Sequence, residues 1–401
     1  MEVIFILIDI ILFLICTVWV VYFLIFSIAS RIKRNKIYPM TDLRNRFLVI
    51  FPAYREDAVI IQSIKQFFQQ TYPPAAFKVV VVADSMSEAT NKELHELGAD
   101  VLIPSYLNRS KAAALKLALK NYSGDGFDAA AILDADNIVD PDFLERVNEA
   151  LANGAMAIQT HRVAKNYNTD LAYLDGIGEE INNAIFRQGH VNLGLPSALI
   201  GSGMVFNMEW FTQAMPKVHS MGEDKELEFL LLQDRIFIEY LPHVLVKDEK
   251  VHNRKDFSNQ RKRWIASQWE TFLFTLNRLG PILRQGNLPL LDKFLQWSLP
   301  PRVILLGLLF LWILLLQPIA PLRDTKWFFI LIAYVFALFL AVPKKYYSTR
   351  TLRSVANLPF IFMAILRSFS SVNKANKTFI HTPHGIPDED NRNRSAKNIQ
   401  E

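Results

Sequence analysis

The sequence predicts an α/β domain held between membrane-spanning helices, and three observations support this fold class. Hydrophobic residues make up 51% of the 401 residues and the mean hydropathy is +0.15, which is high for a wholly soluble chain. Much of the apolar excess lies in runs near the two ends of the chain. Between the ends, short β-branched runs alternate with longer amphipathic segments, which is the pattern of a largely parallel sheet covered by helices on both faces.

The first apolar run predicts a transmembrane helix over residues 1–30. No residue from Ile10 to Ser30 is charged, and at about 1.5 Å per residue this stretch is about 31 Å long, enough to cross the hydrocarbon core. Glu2 precedes the run and basic residues follow it from Arg31, whereas a cleaved signal peptide begins with positive charge. We therefore interpret the run as an anchor.

Two further uncharged runs, Val303–Leu322 and Trp327–Pro343, predict two more transmembrane helices within residues 303–343. Lysines follow the second of these runs directly, as basic residues follow the first run of the chain. The positive-inside rule places both clusters on the cytoplasmic side. The sequence thus predicts a multi-pass protein of the inner or plasma membrane, with residues 31 to about 300 and the C-terminus in the cytoplasm.

Two segments near these runs predict helices that lie in the membrane interface. Residues 271–300 mix apolar and polar side chains, and residues 344–401 form a cytosolic or interfacial C-terminal segment and tail. Within that tail, Val355–Leu366 is apolar but shorter than the roughly 17 residues that a span usually needs. A short fourth span is the alternative interpretation.

The elements of the α/β domain follow from periodicity. Predicted strands are Phe47–Phe51, Lys78–Val82, Asp100–Ile103, Ala129–Leu133 and Ala155–Gln159, and predicted helices are Ala58–Gln69, Ser87–Leu97, Ser110–Asn121 and Pro141–Leu151. The last helix has Asp140 as its predicted cap and a proline at its first position. Sheets of this kind bind ligands at the carboxyl ends of their strands, so the following loops are the predicted site.

Acidic residues follow three of the predicted strands. Glu56 and Asp84 come after the first two, and Asp134 and Asp136 come after the fourth. A divalent cation on a diphosphate needs one or two carboxylates and completes its shell with phosphate oxygens and water. The alternative for each aspartate is a turn former. Lys111 stands at a predicted helix start, where anions are favoured, although an isolated lysine is often only solvated.

Two downstream segments are also candidates. Glu223 and Asp224 open a helix, where acidic residues also serve as ordinary capping groups. Gln260, Arg263 and Trp264 lie in a basic, aromatic segment, which is typical of an interfacial anchor but can also neutralise a diphosphate and stack on a sugar.

Charge and cysteine content exclude several classes of protein. The net charge is +5 and the only cysteine is Cys16, so a disulfide framework and a cysteine-based zinc site are excluded. The basic residues cluster at the membrane boundaries and form no known nucleic-acid module, so we expect no nucleic-acid partner.

Taken in order, these motifs resemble the membrane-bound family 2 glycosyltransferases, the group that includes cellulose synthase, hyaluronan synthase and poly-N-acetylglucosamine synthase. The resemblance covers about residues 45–270. It rests on Pro52-Ala53-Tyr54-Arg55-Glu56, Asp84, Lys111, Asp134-Ala135-Asp136, Gly222-Glu223-Asp224, and a Gln-X-X-Arg-Trp signature at Gln260, Arg263 and Trp264.

The resemblance implies a Rossmann-like GT-A domain over residues 45–270, a nucleotide-sugar donor, most often a UDP-sugar, and Mg2+ or Mn2+ as cofactor. Carried over by position, Asp224 is the catalytic base and Asp136 binds the metal. The implied nucleotide-sugar-binding residues are Pro52, Tyr54, Glu56, Asp84, Lys111 and Asp134. Those implied at the diphosphate and the acceptor are Glu223, Gln260, Arg263 and Trp264.

For the acceptor, the resemblance implies inverting transfer to a growing polysaccharide at the cytoplasmic membrane face. Three helices can hardly enclose a polymer channel in a monomer, so this requires a homo-oligomer or a partner membrane protein. One alternative is transfer of a single sugar to a lipid, as in ceramide glucosyltransferase-like members or to a polyprenyl-linked acceptor. Another is a non-catalytic scaffold of an exopolysaccharide complex. Phe379–His384 keeps only part of the gating segment of cellulose synthases.

Overall fold

The computed structural model describes residues 2–32, 37–105, 109–220, 222–251, 254–317 and 325–369. Its centre is one eight-stranded sheet with the order β3-β2-β1-β4-β7-β6-β8-β5. The strands are β1 (Phe47–Tyr54), β2 (Phe77–Asp84), β3 (Asp100–Leu102), β4 (Ala129–Ile132), β5 (Ile138–Val139), β6 (Ala157–Ala164), β7 (Met204–Asn207) and β8 (Ile238–Asp248).

Helices cover the sheet and continue beyond it toward the C-terminus. They are α1 (Glu2–Ser30), α2 (Ile60–Phe67), α3 (Glu88–Glu96), α4 (Lys111–Tyr122), α5 (Phe143–Ala152), α6 (Asp170–Asn183), α7 (His190–Asn192), α8 (Met208–Ala214), α9 (Glu223–Gln233), α10 (Arg254–Leu276), α11 (Leu279–Arg284), α12 (Leu288–Ser298), α13 (Arg302–Leu316), α14 (Thr325–Ala341), α15 (Thr349–Val355) and α16 (Leu358–Phe369). A π-helical turn, Ala184–Gly189, joins α6 to α7.

The sheet buries both of its faces. Along β1, Leu48 and Ile50 point into one hydrophobic cluster, which α4, α8 and α9 complete. Phe47, Val49 and Phe51 point into a second cluster on the opposite face, which α2 and α5 complete. Successive side chains of a strand face opposite ways, so a continuously apolar strand marks a sheet covered on both faces, as the sequence predicts.

The prediction of a largely parallel sheet is correct for only part of it. The four strands β3, β2, β1 and β4 are parallel. Strand β7 is antiparallel to both of its neighbours, β4 and β6, and β5 is antiparallel to β8. The sheet is therefore mixed, and its antiparallel members are strands that the sequence analysis did not identify.

Two local predictions are corrected by the backbone. Strand β8 was missed because Pro242 interrupts its apolar run, and the register between β6 and β8 shifts opposite this region, between Thr160 and His161. Helix α5 begins at Phe143 rather than at Pro141. The N–H of Phe143 donates to the Asp140 carbonyl at 3.1 Å, so Asp140 closes a turn before the helix and does not cap it.

The apolar helices agree with the membrane prediction only in part. Among the described residues, one helix is long and apolar enough to cross a membrane. It is the part of α1 from Ile4 to Ser30. A second span exists if α12 and α13, which meet at 59°, are counted as one broken span. Helix α14 has 17 residues, and the end of the predicted run Val303–Leu322 lies outside the described residues. The multi-pass arrangement stays a prediction, as does the assignment of Val355–Leu366 and residues 271–300 to the interface.

Candidate active site

The ends of β1 and β2 form one wall of the site. Their parallel register pairs Tyr54 with Asp84, so both side chains lie at the carboxyl edge of the sheet. The guanidinium of Arg109 lies between them: its Nε is 3.3 Å from Asp84 Oδ1, and its carbon is 5.5 Å from the Tyr54 ring centre. No sequence motif indicates a role for Arg109, which lies two residues before Lys111.

The chain turns sharply after β1 and brings Glu56 into the site. Arg55 adopts a positive φ of 56°, and its N–H donates to the Asp84 carbonyl at 3.1 Å. Glu56 follows, is buried, and lines the same cavity as Pro52 and Tyr54. The local strain at Arg55 thus serves to place the Pro52–Glu56 segment beside β2.

Lys111 is not a solvated lysine. Ser110 caps α4 by accepting the Ala113 N–H, which fixes Lys111 at the first helical position. Its ammonium forms an ion pair with Asp134, donates to the Gly201 carbonyl at 2.7 Å, and lies 3.9 Å from Glu223 Oε1. Lys111 therefore joins three separate segments at the centre of the site.

Asp134 and Asp136 occupy a tight turn after β4. The N–H of Asp134 donates to Asn137 Oδ1 at 2.9 Å, and the buried Asp136 accepts the Glu249 N–H at 2.6 Å. The described residues contain no group of three or more His, Cys, Asp or Glu side chains arranged to hold a metal ion. Asp136 also accepts the Asn137 amide at 3.3 Å, and a cation bound by its carboxylate would take its other oxygens from a diphosphate and water. Carboxylate, phosphate and water oxygens are the ligands that Mg2+ and Mn2+ prefer, so the site fits either cation.

Glu223 and Asp224 begin α9 and differ in their surroundings. Glu223 is buried, and this burial raises its pKa to about 7; Lys111 acts in the opposite direction and Asp224 in the same one. Asp224 is only half-buried. The Lys225 N–H donates to Asp224 Oδ1 at 2.9 Å, and Lys225 Nζ is 3.8 Å from Oδ2, which fixes the carboxylate at the helix start.

Helix α10 lies directly against the start of α9. A Cβ atom placed on Gly222 would be 1.9 Å from the Ser267 hydroxyl oxygen, so only glycine permits this contact. Gln260, Arg263 and Trp264 on the same helix line the cavity, and the buried Gln260 Oε1 has no hydrogen-bond partner among the described residues.

A buried charge network that no sequence motif indicates lies behind the Asp134–Asp136 turn. Glu179 accepts a hydrogen bond from Arg162 at 2.8 Å and lies 3.5 Å from Lys250, which also contacts Asp248 at 2.8 Å. Burial by itself raises the pKa of Glu179, but Arg162 and Lys250 more than offset this and hold the pKa well below its ordinary value. The Asn137 amide donates to Asp248 at 3.3 Å and links the network to the turn.

All of the predicted site residues line one cavity of about 740 Å³. We call the part bordered by the strand ends, α9 and α10 the polar crevice. The same cavity continues between α6, α13, α14 and α16, and we call this part the apolar arm. Its walls are Leu174, Ile177, Ile181, Leu306, Leu338, Val342, Ile361 and Ile365. The structure therefore brings the predicted residues together, while the arm was not predicted.

Comparison with known proteins gives a consistent result. A sequence model of the family described as "Glycosyltransferase like family 2" matches residues 45–267. Two curated relatives, the beta-monoglucosyldiacylglycerol synthases of Trichormus variabilis and a Nostoc species, are each 24% identical over 245 residues, which is 58% of this chain and 52% of each relative. The chain thus spans about half the length of these relatives.

The fold is also found among solved structures. A mannosyltransferase from Pyrobaculum calidifontis, in complex with GDP-Man and Mn2+, matches with a TM-score of 0.55 and 16% identity. The match covers 92% of this chain and 97% of that chain. At this identity the likeness is one of fold alone.

Proposed function

The chain is a member of the family 2-like glycosyltransferases and has a GT-A fold with a mixed sheet, and on that premise we propose that it transfers one sugar from a nucleotide sugar to the hydroxyl group of a membrane lipid. One observation supports this acceptor above others: the polar crevice opens directly into the apolar arm. A hydroxyl group held in the crevice can therefore be attached to a hydrocarbon chain in the arm. Folding alone would not require a continuous cavity of this kind.

The donor side follows from the strand ends. We assign the nucleoside, for which uridine is proposed from the family resemblance, to Pro52, Tyr54, Glu56, Asp84 and Asp134. Lys111 and Arg263 supply positive charge beside the diphosphate, with Glu223 and Gln260 at its border. Fixed cations of this kind stabilise the charge that develops on the leaving group.

The proposed reaction is a single in-line displacement that inverts the anomeric carbon. The acceptor oxygen bonds to that carbon and transfers its proton to Asp224, while the bond to the diphosphate breaks and the nucleoside diphosphate leaves with the electron pair. Asp224 is suited to this role because it is half-buried and oriented by the Lys225 N–H. General-base assistance is typically worth about 10² to 10⁴ in rate.

A divalent cation belongs to the same proposal. When bound at Asp136, Mg2+ or Mn2+ would neutralise diphosphate charge that Lys111 and Arg263 leave uncompensated. The charge network of Arg162, Glu179 and Lys250 holds the turn that carries Asp136 from behind.

The polysaccharide acceptor favoured by the sequence analysis remains the second candidate. Trp264 is 36% exposed on α10 and offers a ring on which a sugar can stack, beside the Gln260 oxygen that has no hydrogen-bond partner in the part of the chain that the structure describes. The apolar arm argues against a polymer, because its apolar walls cannot form hydrogen bonds with the hydroxyl groups of a sugar chain. A polymer would also need further copies or a partner membrane protein to form a channel. The scaffold alternative is set aside, because the family is enzymatic.

Attachment to a membrane is proposed on the same grounds. Helix α1 is long enough to act as an anchor, and α13, α14 and α16 expose apolar side chains next to the arm. A multi-pass arrangement in the inner or plasma membrane, with the GT-A domain in the cytoplasm, fits the basic flanks of these helices.

Product analysis tests the proposal. Membranes containing the protein are incubated with a panel of labelled nucleotide sugars, and the products are partitioned into organic solvent and sized. We expect one organic-extractable glycolipid, formed by the wild-type chain and at least about 100-fold more slowly by Asp224→Asn. A ladder of water-soluble oligosaccharides would contradict the lipid acceptor and support a polymer.

A further inference from the structure

We propose that Arg302 forms an anion site at the junction of the polar crevice and the apolar arm, and that it binds the phosphate group of a phosphate-bearing lipid acceptor. This inference rests on the proposed function and specifies its acceptor. The acceptor hydroxyl would lie at Asp224, the phosphate at Arg302 and the hydrocarbon chain in the arm.

The first observation is that Arg302 forms no ion pair among the described residues, because the acids that act on its charge from farther away, Asp175 and Glu179, are paired with other arginines. It lines the cavity as the first residue of α13, and its Nη2 donates to the Gly178 carbonyl at 2.8 Å. Its Nη1 is buried and makes no hydrogen bond within the described part of the chain, where Arg302 also has no ion pair. Four other arginines that line the cavity have carboxylate partners, and these pairs are Arg109–Asp84, Arg162–Glu179, Arg187–Glu179 and Arg261–Asp175.

The second observation is that the side chain is held in place. The Tyr334 hydroxyl donates to the Arg302 carbonyl at 3.0 Å, which fixes the backbone at the start of α13. A Cβ atom on Gly178 would lie 3.3 Å from Nη2, so the glycine leaves room for the guanidinium against α6. A buried guanidinium N–H that has no partner among the described residues matches an oxyanion, and phosphate is the anion whose geometry best suits the guanidinium fork.

The third observation is the position of Arg302 within the cavity. On one side lies α10, where Arg261 stacks on Trp264 at 4.3 Å in the polar crevice. On the other side, Val303 and Leu306 begin the wall of the apolar arm. An unpaired charge beside apolar walls is costly unless a ligand neutralises it. The polar crevice, Arg302 and the apolar arm follow one another in the order in which a lipid presents its head group, its phosphate and its hydrocarbon chain.

The chemistry of transfer is unchanged by this assignment. The new glycosidic bond forms between the anomeric carbon and a hydroxyl oxygen of the head group, the bond to the diphosphate breaks, and the proton passes to Asp224. The lipid phosphate keeps all of its bonds and serves only to position the acceptor.

A binding experiment without donor tests the anion site separately from catalysis. The purified 401-residue chain, in micelles of a neutral detergent, is titrated with dodecyl phosphate, with uncharged dodecyl glucoside and with inorganic phosphate. We expect dodecyl phosphate to bind more tightly than either of the others. We expect Arg302→Gln to weaken its binding about 10- to 100-fold, as for loss of a charged hydrogen bond.

Two variants control for charge and for folding. Arg353→Gln removes an exposed arginine from α15 and should leave dodecyl phosphate binding unchanged. Arg302→Lys keeps a positive charge but loses the planar fork, so its loss of affinity should be smaller than that of Arg302→Gln. Melting temperatures measured beside each titration separate misfolding from loss of the site.

The outcomes separate this inference from the proposed function. Wild-type protein that binds dodecyl phosphate no better than dodecyl glucoside overturns the anion site, and equal affinity for inorganic phosphate overturns its assignment to a lipid. The proposed function fails if the transfer assay yields a water-soluble polymer or no product. The titration with dodecyl phosphate does not depend on that assay, so it tests the anion site at Arg302 in either case.

Discussion

The two parts of the cavity are built in different ways. In the polar crevice most charges have partners close at hand, as Lys111 has in Asp134 and Glu223. In the apolar arm, side chains from four helices face one another, and Arg302 at its entrance has no ion pair within the described part of the chain. The crevice is assembled by the register of parallel strands, whereas the arm depends on helix packing over long sequence separations. The polar crevice is therefore suited to one fixed reaction, and the apolar arm is suited to acceptors whose hydrocarbon chains differ.

The largest effect is expected when the proposed catalytic base in the polar crevice is removed and the apolar arm is left unchanged. We expect Asp224→Asn to lower kcat by about 10² to 10⁴, because the amide cannot accept the acceptor proton. The affinity for nucleoside diphosphate, measured by titration calorimetry, should change little. Glu209→Gln, an exposed acid on α8, is the matched control. Near-normal turnover of Asp224→Asn would show that the base is another group.

Filling the arm should give the converse result. Leu306→Trp narrows the arm, and each methylene of the acceptor that is kept out of it costs about 0.8 kcal/mol, or about fourfold in affinity. We expect KM to rise more for long-chain than for short-chain lipid acceptors, with donor affinity preserved. Leu314→Trp, at an exposed position of the same helix, should have no such effect. Equal losses for all chain lengths would argue against a lipid in the arm.

A third change breaks the contact that joins α9 to α10. In Gly222→Ala the new methyl group meets the Ser267 hydroxyl, and overpacking of this kind costs about 1–3 kcal/mol of unfolding free energy. We expect kcat/KM to fall about tenfold, since Asp224 and Arg263 lie on the displaced helices. Adding Ser267→Gly should restore both quantities. Gly280→Ala, where no atom lies within 4 Å, is the control, and failure of the rescue would locate the defect elsewhere.

The smallest expected effect concerns the protonation of Glu223. With a pKa of about 7, this buried group is neutral below that pH and negative above it, where it repels the donor diphosphate. The KM for the nucleotide sugar should therefore rise a few-fold as the pH increases through about 7. Glu223→Gln should remove this dependence. An identical pH profile for both proteins would mean that another group titrates.

The crevice could be predicted from sequence because local rules determine it. Asp84 is the last residue of β2 and Asp134 lies two residues after β4, and parallel strands end at one edge, so their proximity follows from the strand predictions. Lys111 was ambiguous in the sequence because its partner Asp134 is 23 residues away and only the fold pairs them.

The arm and the network behind the crevice depend on longer-range contacts. Arg302 meets Gly178 across 124 residues, and nothing in either local sequence indicates the contact. The same holds for Glu179 and Lys250, whose charges look like ordinary surface residues until packing buries them. Strand β8 was hidden by Pro242, which local reasoning interprets as a strand breaker.

The placement of Arg109 has a consequence for how donor affinity is measured. Its guanidinium lies over Tyr54 and pairs with Asp84, the two groups to which we assign the nucleoside. An incoming nucleotide then competes with the Arg109 side chain for these two groups. The apparent dissociation constant of the nucleotide equals the intrinsic dissociation constant divided by the fraction of molecules in which Arg109 has moved away. Differences in donor affinity between variants of this loop would then reflect the strength of that internal competitor as well as contacts with the sugar.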